Sequence, residues 1–400
     1  MFPTRRITTS GGDVFRDEFS LKFDGSNDFV LTTFEPDYIH TNATFAMWIK
    51  MNDLSGQQVM GSHNSKRWYF GFAGSDAFLG IANANKSDIT ITPTPIAGQW
   101  LHYAVTAIDG TATVYINGLA QSATMTYNQD AATNPTTGFR FGARDSIDGS
   151  SIEKHMNANI SEVVQYDKGL SSSEIKTIYN GREPYNHKEG VCSSNLQGWW
   201  RMGDGVNDGK FVIQDQTNIN IGSNLVSNPS FDTNTTGWEQ YAGGSGDDNT
   251  ISRETSIVHS GSGSLKIVHA AGNSGYAART SGSSITATAN KVLLIEGYVY
   301  IPSGSYSGGN PILADGGSFS GASNQLRISA DASVTDQWQY VRTVQLLDSD
   351  NTGSIFLHTT GDDPSAGDIL YWDDISCRVI DGNAGLMYNM SHTDFEGDTP

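Results

Sequence analysis

The 400-residue sequence predicts an all-β chain made of two jelly-roll-type β-sandwich domains. Three observations predict it. Apolar residues recur at period two over short runs, and turn chemistry separates the runs. Glycine is abundant, at 44 residues, and Ser, Thr and Asn are frequent; that mix serves short strands better than long helices. A chain of this length also exceeds one ordinary domain, and two or three is the prior.

The elements follow in order. In Phe19-Ser20-Leu21-Lys22-Phe23 three apolar side chains share one strand face. Asp24-Gly25-Ser26-Asn27-Asp28 is a turn, and Phe29-Val30-Leu31 opens the next strand. Thr44-Phe45-Ala46-Met47-Trp48-Ile49 reads as a buried strand. Residues 100–107 and 112–116 read as a hairpin around Asp109-Gly110, with Asn117-Gly118 closing the second strand. One short helix is legible. Ser171 and Glu174 form a capping box, Ile175, Ile178 and Tyr179 share a face, and Gly181 can end the helix left-handed.

Composition excludes several function classes. The charge is 24 − 43 = −19, which repels phosphate backbones and anionic lipid. Nucleic acid and membrane surfaces are therefore not expected partners. No run approaches the ~20 apolar residues of a membrane span. The segment MFPTRRITTSGGDV has two arginines but no apolar run, so it does not read as a signal peptide. Cys192 and Cys377 are far apart in sequence and read by default as free buried thiols, with pairing across domains as the alternative. The sequon Asn42-Ala43-Thr44 carries no weight without a secretory route.

The segments FDGSNDFV, FAMWIK, GQWLHYAVT, DGTATVYINGLA, FRFGAR, ISEVVQYDKGL and SSSEI, in this order, resemble a LamG-type, concanavalin A-like sandwich over residues 19–182. Glu162 stands where that family usually has Asp. From Asn224 a second series begins: Asn224 to Asp232, Thr236-Gly237-Trp238, and Ser260 to Ile267. It continues with Leu294 to Tyr300, Gln337 to Val341 and Tyr371 to Ile375, and resembles family 4/9-type carbohydrate-binding modules. Residues 196–205 resemble a LamG-associated strand. Residues 381–400 resemble its usual continuation in marine bacteriophage virion structural proteins.

The resemblance implies that the second sandwich, residues 222–380, is inserted near the C-terminal end of the first, residues 19–190. Residues 191–221 and 381–400 would then meet as one extension, and residues 1–18 would be an N-terminal arm. Trp48, Trp100, Trp238 and Trp338 fall at core positions of these families and read as packing.

Catalytic signatures are missing from the linear sequence. Glu35-Pro36-Asp37 lacks the third member of a sandwich-glycosidase carboxylate set, and its proline disfavours a strand centre. No His-Glu-x-x-His, Gly-x-Ser-x-Gly or Cys/His metal cluster occurs. The chain is expected not to be an enzyme.

Sugar binding needs aromatic faces beside groups that read hydroxyls. His63, Asn64, Arg67, Trp68 and Tyr69 form such a group in the first module, and Tyr241 and Tyr276 lie in Gly/Ser-rich stretches of the second. As strand neighbours, Trp68 and Tyr69 would face opposite ways, one of them inward. The resemblance also implies a structural calcium near Asp232 and Asp373, and another at Asp145 and Asp148; the competing reading is turn and strand-end aspartates. The whole reads as a virion structural protein, in a tail fibre, tail appendage or capsid decoration. Its expected partners are other virion proteins and host-surface glycan. A homotrimer is compatible with this but has no coiled-coil signature. Rival readings are an accessory module of a secreted polysaccharide-degrading system and a purely architectural protein.

Overall fold

The computed structural model describes residues 15–35, 41–62, 67–82, 84–129, 138–146, 148–206, 208–209, 211–241, 249–271, 275–282, 284–289, 291–316, 325–347 and 350–400. Strand makes up 49% and helix 5%, so the class is all-β, as expected. The chain divides into two units: residues 1–219 with 382–400, and residues 220–381.

The first unit is a sandwich. Its large antiparallel sheet runs in the order Leu119–Thr126, Thr111–Ile116, Trp100–Ile108, Asn42–Met51, Asn157–Tyr166, Ser20–Asp24, Phe395–Glu396, with Leu196–Trp200 also on Asn157–Tyr166. Facing it are the sheet Arg140–Phe141, Phe29–Thr32, Gly385–Tyr388, Val212–Ile213 and the meander Gln57–Ser62, Trp68–Ala73, Asp76–Ile81, Ala84–Ile89. The strand Asn42–Met51 shows why its sequence is apolar almost throughout. Phe45, Met47 and Ile49 enter the core between the sheets. Ala46 on the other face packs with Ala104, Val164 and the helix residues Ile175 and Ile178. A strand covered on both sides has no need of polar alternation.

The helix is Ser172–Tyr179, capped by Ser171 and Glu174 as the sequence predicts. Its left-handed exit comes at Asn180, one residue before Gly181. The hairpin turn is Asp109-Gly110.

Residues 382–400 return to the first unit. Gly385–Tyr388 pairs with both Phe29–Thr32 and Val212–Ile213, and Phe395–Glu396 pairs with Ser20–Asp24. The Trp200 indole donates to the Asn383 carbonyl at 2.7 Å, and the Asn383 amide donates to Asp215 at 3.0 Å.

Three expectations are corrected. Phe19 is 41% exposed, because the strand begins after it at Ser20. The end of the expected arm belongs to the sandwich: Phe15 packs 5.7 Å from Trp199 and 4.3 Å from the Arg201 guanidinium, and Asp17 is buried. Cys377 is buried as expected, but Cys192 is only half-buried.

Beneath Phe15, the longer reach of Glu162 is used. Its carboxylate accepts from the Trp199 indole at 2.5 Å and from Arg201 at 2.8 Å. Burial and the Glu162 charge push the Asp17 carboxyl well above the usual range, and burial pushes Glu162 up too.

The second unit is also a sandwich. One sheet runs Thr250–Glu254, Ser264–Val268, Ile369–Asp381, Val292–Tyr300, Trp338–Leu346, Gln325–Ile328, with Asn220–Ile221 on Ile369–Asp381. The other is Trp238–Gln240, Tyr276–Thr280, Asn351–Thr360, Ile285–Ala287, with Asn310–Gly316 on Asn351–Thr360. Phe231, Trp238, Ile295, Leu357 and Trp372 lie in the core between them. Trp338 does not. It stands half-exposed on the outer face, where its cross-strand partner is Tyr300. The packing role expected for Trp338 is thereby corrected, whereas Trp48, Trp100 and Trp238 are buried.

Candidate functional site

The outer face of the five-stranded sheet of the second unit gathers aromatic and charged side chains. Register sets one row, Glu239–Arg279–Phe356–Ala314, across four strands. Beside it runs Tyr276–His358–Ile312. The intervening residues Ala278, Leu357 and Leu313 point into the core, as period two requires.

Tyr276 reaches this face through an irregularity. Tyr276 and Ala278 have the same parity and would otherwise point the same way. A register shift between them absorbs the extra residue Ala277 and turns Tyr276 outward, as β-bulges do. The Asn249 side-chain amide then clasps the backbone, donating to the carbonyls of Tyr241, Tyr276 and Ala277 at 2.8–3.1 Å. Tyr241 and Tyr276 are thereby held side by side.

The rings form a compact group. Tyr241 and Tyr276 lie 5.5 Å apart, nearly perpendicular, and each is within 5.3 Å of Phe356. His358 lies 4.2 Å from Tyr276. The Arg279 guanidinium sits 4.5 Å over Tyr241 and donates to Glu239 at 2.5 Å. Both charged side chains remain open, at 34% and 38% exposure. Aromatic surface offers C–H packing to a pyranose, while the fork and the carboxylate read hydroxyls.

The sequence pointed to Tyr241 and Tyr276 but not to Glu239, Arg279, Phe356 or His358. Strand alternation could have found Arg279 and Phe356; the bulge that joins Tyr276 to them has no sequence signature.

The first unit places its candidates differently. His63 and Asn64 lie outside the described residues. Trp68 points into the core, with its ring edge-on to Phe70 at 4.5 Å. Tyr69 points to the outer face, but it too is 0% exposed. The Tyr69 hydroxyl donates to Asn85, and the Arg144 guanidinium covers the ring at 4.5 Å. Its neighbours across the sheet are Gly61 and Gly80. A Cβ on Gly80 would stand 2.2 Å from the Tyr69 ring. Arg67 adds a further positive charge near the Tyr69 hydroxyl. The expected exposure of Trp68 and Tyr69 to a sugar is therefore corrected: both rings are enclosed.

The aspartates expected to hold calcium all have partners in the protein. Asp145 is buried and ion-paired with Arg140. Exposed Asp148 accepts from the Ser146 and Ser150 hydroxyls at 2.6 and 2.7 Å and from the Ser150 amide at 3.0 Å, which holds its carboxyl well below the usual range. Asp373 accepts from the backbone N–H groups of His259, Ser260 and Asp374 at 2.8–3.2 Å. Burial nevertheless pushes it up to about 6. Asp232 accepts from Ser230 and Ser262. Among the described residues no three His, Cys, Asp or Glu side chains come together as a metal site.

Residues 24–176 match the model of the concanavalin A-like lectin/glucanases superfamily. The first unit thus contains a lectin/glucanase-type domain. No curated protein matches the chain. Among solved structures, a heptameric SAP-like pentraxin from Limulus polyphemus is similar at 17% identity over 41% of this chain and 82% of its own, with a TM-score of 0.35. A xylan-binding domain from Paenibacillus barcinonensis is similar at 18% over 40% and 96%, with a TM-score of 0.27. Domain 4 of an extracellular arabinanase from Geobacillus stearothermophilus, solved with arabinotriose, is similar at 18% over 40% and 76%, with a TM-score of 0.31.

Proposed function

We propose that this chain is a glycan-binding protein whose sugar platform is the outer face around Tyr241, Tyr276 and Arg279. The observation that carries the reading is the half-open cluster itself. Aromatic rings, an arginine fork and a carboxylate share one sheet face, and the bulge and the Asn249 clasp hold the two tyrosines in place. Pre-positioned aromatic and charged groups lower the ordering cost of binding. The lectin-type match of the first unit favours the same class.

The proposal extends to a setting. The resemblance of residues 381–400 to marine bacteriophage structural proteins supports display on a virion, as a tail fibre, tail appendage or capsid decoration, with host-surface glycan as the target.

A glycan array probed with the purified chain tests the binding. Bacterial surface sugars should be retained by the native chain and lost, by at least about tenfold, in Tyr241→Ala/Tyr276→Ala. Silence of the native chain across the array would replace the proposal with a purely architectural role. Antibody labelling of purified particles tests the setting, and absence of label from virions removes it.

A further inference from the structure

We propose that in the second unit the side chain of Arg253 supplies the positive charge that a calcium ion would bring to the Asp232 loop, so that this loop is held without metal.

The oxygen atoms are of the kind calcium takes: main-chain carbonyls and a carboxylate in a tight turn. The cation among them belongs to the chain. Arg253, on the strand Thr250–Glu254, donates from Nε to the Phe231 carbonyl at 2.9 Å. Its Nη2 donates to the carbonyls of Asp232 at 2.5 Å and Ser262 at 2.6 Å, and to the Ser262 hydroxyl at 3.3 Å. The Asp232 carboxylate closes the same turn by accepting from the Ser262 amide at 2.5 Å, and the arginine charge helps to hold its carboxyl below the usual range. Three carbonyls, a hydroxyl and a carboxylate are thus gathered around one guanidinium.

The backbone is shaped to this arrangement. A Cβ on Gly263 would lie 2.3 Å from the Phe231 carbonyl oxygen and 2.7 Å from Arg253 Nε. Gly261 is left-handed, and a Cβ there would lie 2.2 Å from Asp232 Oδ1. Side chains at either position would push into the cage.

The second expected ligand is engaged elsewhere. Asp373 spends both carboxylate oxygens on N–H donors, two of them from His259 and Ser260 at the start of the loop that Asp232 holds by Ser262. Calcium needs six to eight oxygens at about 2.3–2.6 Å. It cannot take the Phe231, Asp232 and Ser262 carbonyls while the guanidinium is hydrogen-bonded to them. The residues present do not fit the metal, because the place it would fill is taken.

The test is thermal unfolding of the full chain in EGTA and in millimolar calcium, with calorimetric titration of calcium in parallel. The native chain should melt at the same temperature in both. Arg253→Ala should melt several degrees lower in EGTA, and calcium should restore part of the loss. If Arg253→Ala does not fold, Arg253→Lys takes its place; it keeps the charge, loses the planar fork, and should also melt lower than the native chain in EGTA. The proposal is overturned if calcium raises the native melting temperature and Asp232→Asn abolishes the rise. It is equally overturned if the arginine variant is as stable in EGTA as the native chain.

Discussion

Both units carry the same three-residue stack on an outer sheet face, with opposite consequences. In the first, Arg144 covers Tyr69 at 4.5 Å and pairs with Glu153 at 2.8 Å. In the second, Arg279 covers Tyr241 at 4.5 Å and pairs with Glu239 at 2.5 Å. The geometry is nearly identical, yet the Arg144 side chain is 8% exposed and that of Arg279 is 34% exposed. Tyr69 is sealed, its hydroxyl spent on Asn85 and its ring bedded on Gly80. Tyr241 is half-open and shares its face with Tyr276, Phe356 and His358. A tyrosine–arginine–glutamate stack is thus a packing device when enclosed, and when open it leaves aromatic and charged surface at the face proposed here for glycan.

The largest expected effect tests the enclosed stack. Tyr69→Ala should destabilise the first unit by about 3–5 kcal/mol, the range for truncating a buried aromatic. Tyr241→Ala should cost the second unit far less and remove glycan retention instead. Denaturant unfolding of both variants measures this, and equal losses of stability would break the contrast.

Acid should act next most strongly, and on the enclosed side. His102 and His187 are buried in the first unit, and burial pushes each down to about 3. The unfolded chain binds protons at about 6.5 while the folded unit does not. Stability is therefore retained above pH 6.5 and lost as the pH falls toward 3, by about 2–3 kcal/mol per histidine at pH 4.5. Asp17 and Glu162 act in the opposite sense. Their raised carboxyls favour folding at low pH, a contribution that fades as the pH rises above about 4. Melting temperature against pH should show an acid limb that His187→Gln makes shallower; an unchanged limb would remove His187 from the account.

A smaller effect concerns the bed beneath Tyr69. Gly80→Ala places a methyl against the ring and should cost about 1–3 kcal/mol through overpacking. Wild-type stability in that variant would show that the Tyr69 ring has room to shift.

The smallest effect belongs to the open stack. Arg279→Ala should leave stability within about 1 kcal/mol of wild type, since a half-exposed ion pair contributes little. It should weaken glycan binding by roughly tenfold, about 1.4 kcal/mol. Titration of a ligand found on the array checks it, and unchanged affinity would remove the arginine from the platform.

Much of the architecture was legible in the residues themselves. The capping box at Ser171 and Glu174, the Asp109-Gly110 hairpin and the continuous apolar run of the strand Asn42–Met51 are local patterns with local causes. Tyr241 and Tyr276 were legible as candidates because they stand in turn-rich stretches. Their neighbours were not, because Glu239, Arg279 and Phe356 come from three strands far apart in the chain and meet only through register.

Trp68, Tyr69 and Trp338 were misread for a related reason. Alternation says that neighbours face opposite ways, and Trp68 and Tyr69 do. It does not say whether the outer face is open. Nor does it say which face of a strand a family-like tryptophan occupies, and Trp338 stands outside.

By itself, then, the sequence determined the all-β class and the positions of its turns, because period-two burial and turn chemistry act within a few residues. The tertiary structure alone decided which tyrosine is sealed and which is open, and that a guanidinium sits among the carbonyls of the Asp232 loop. Those outcomes depend on strand register, on one bulge at Ala277 and on which side chains cross a sheet, and such contacts form only when distant segments pack together.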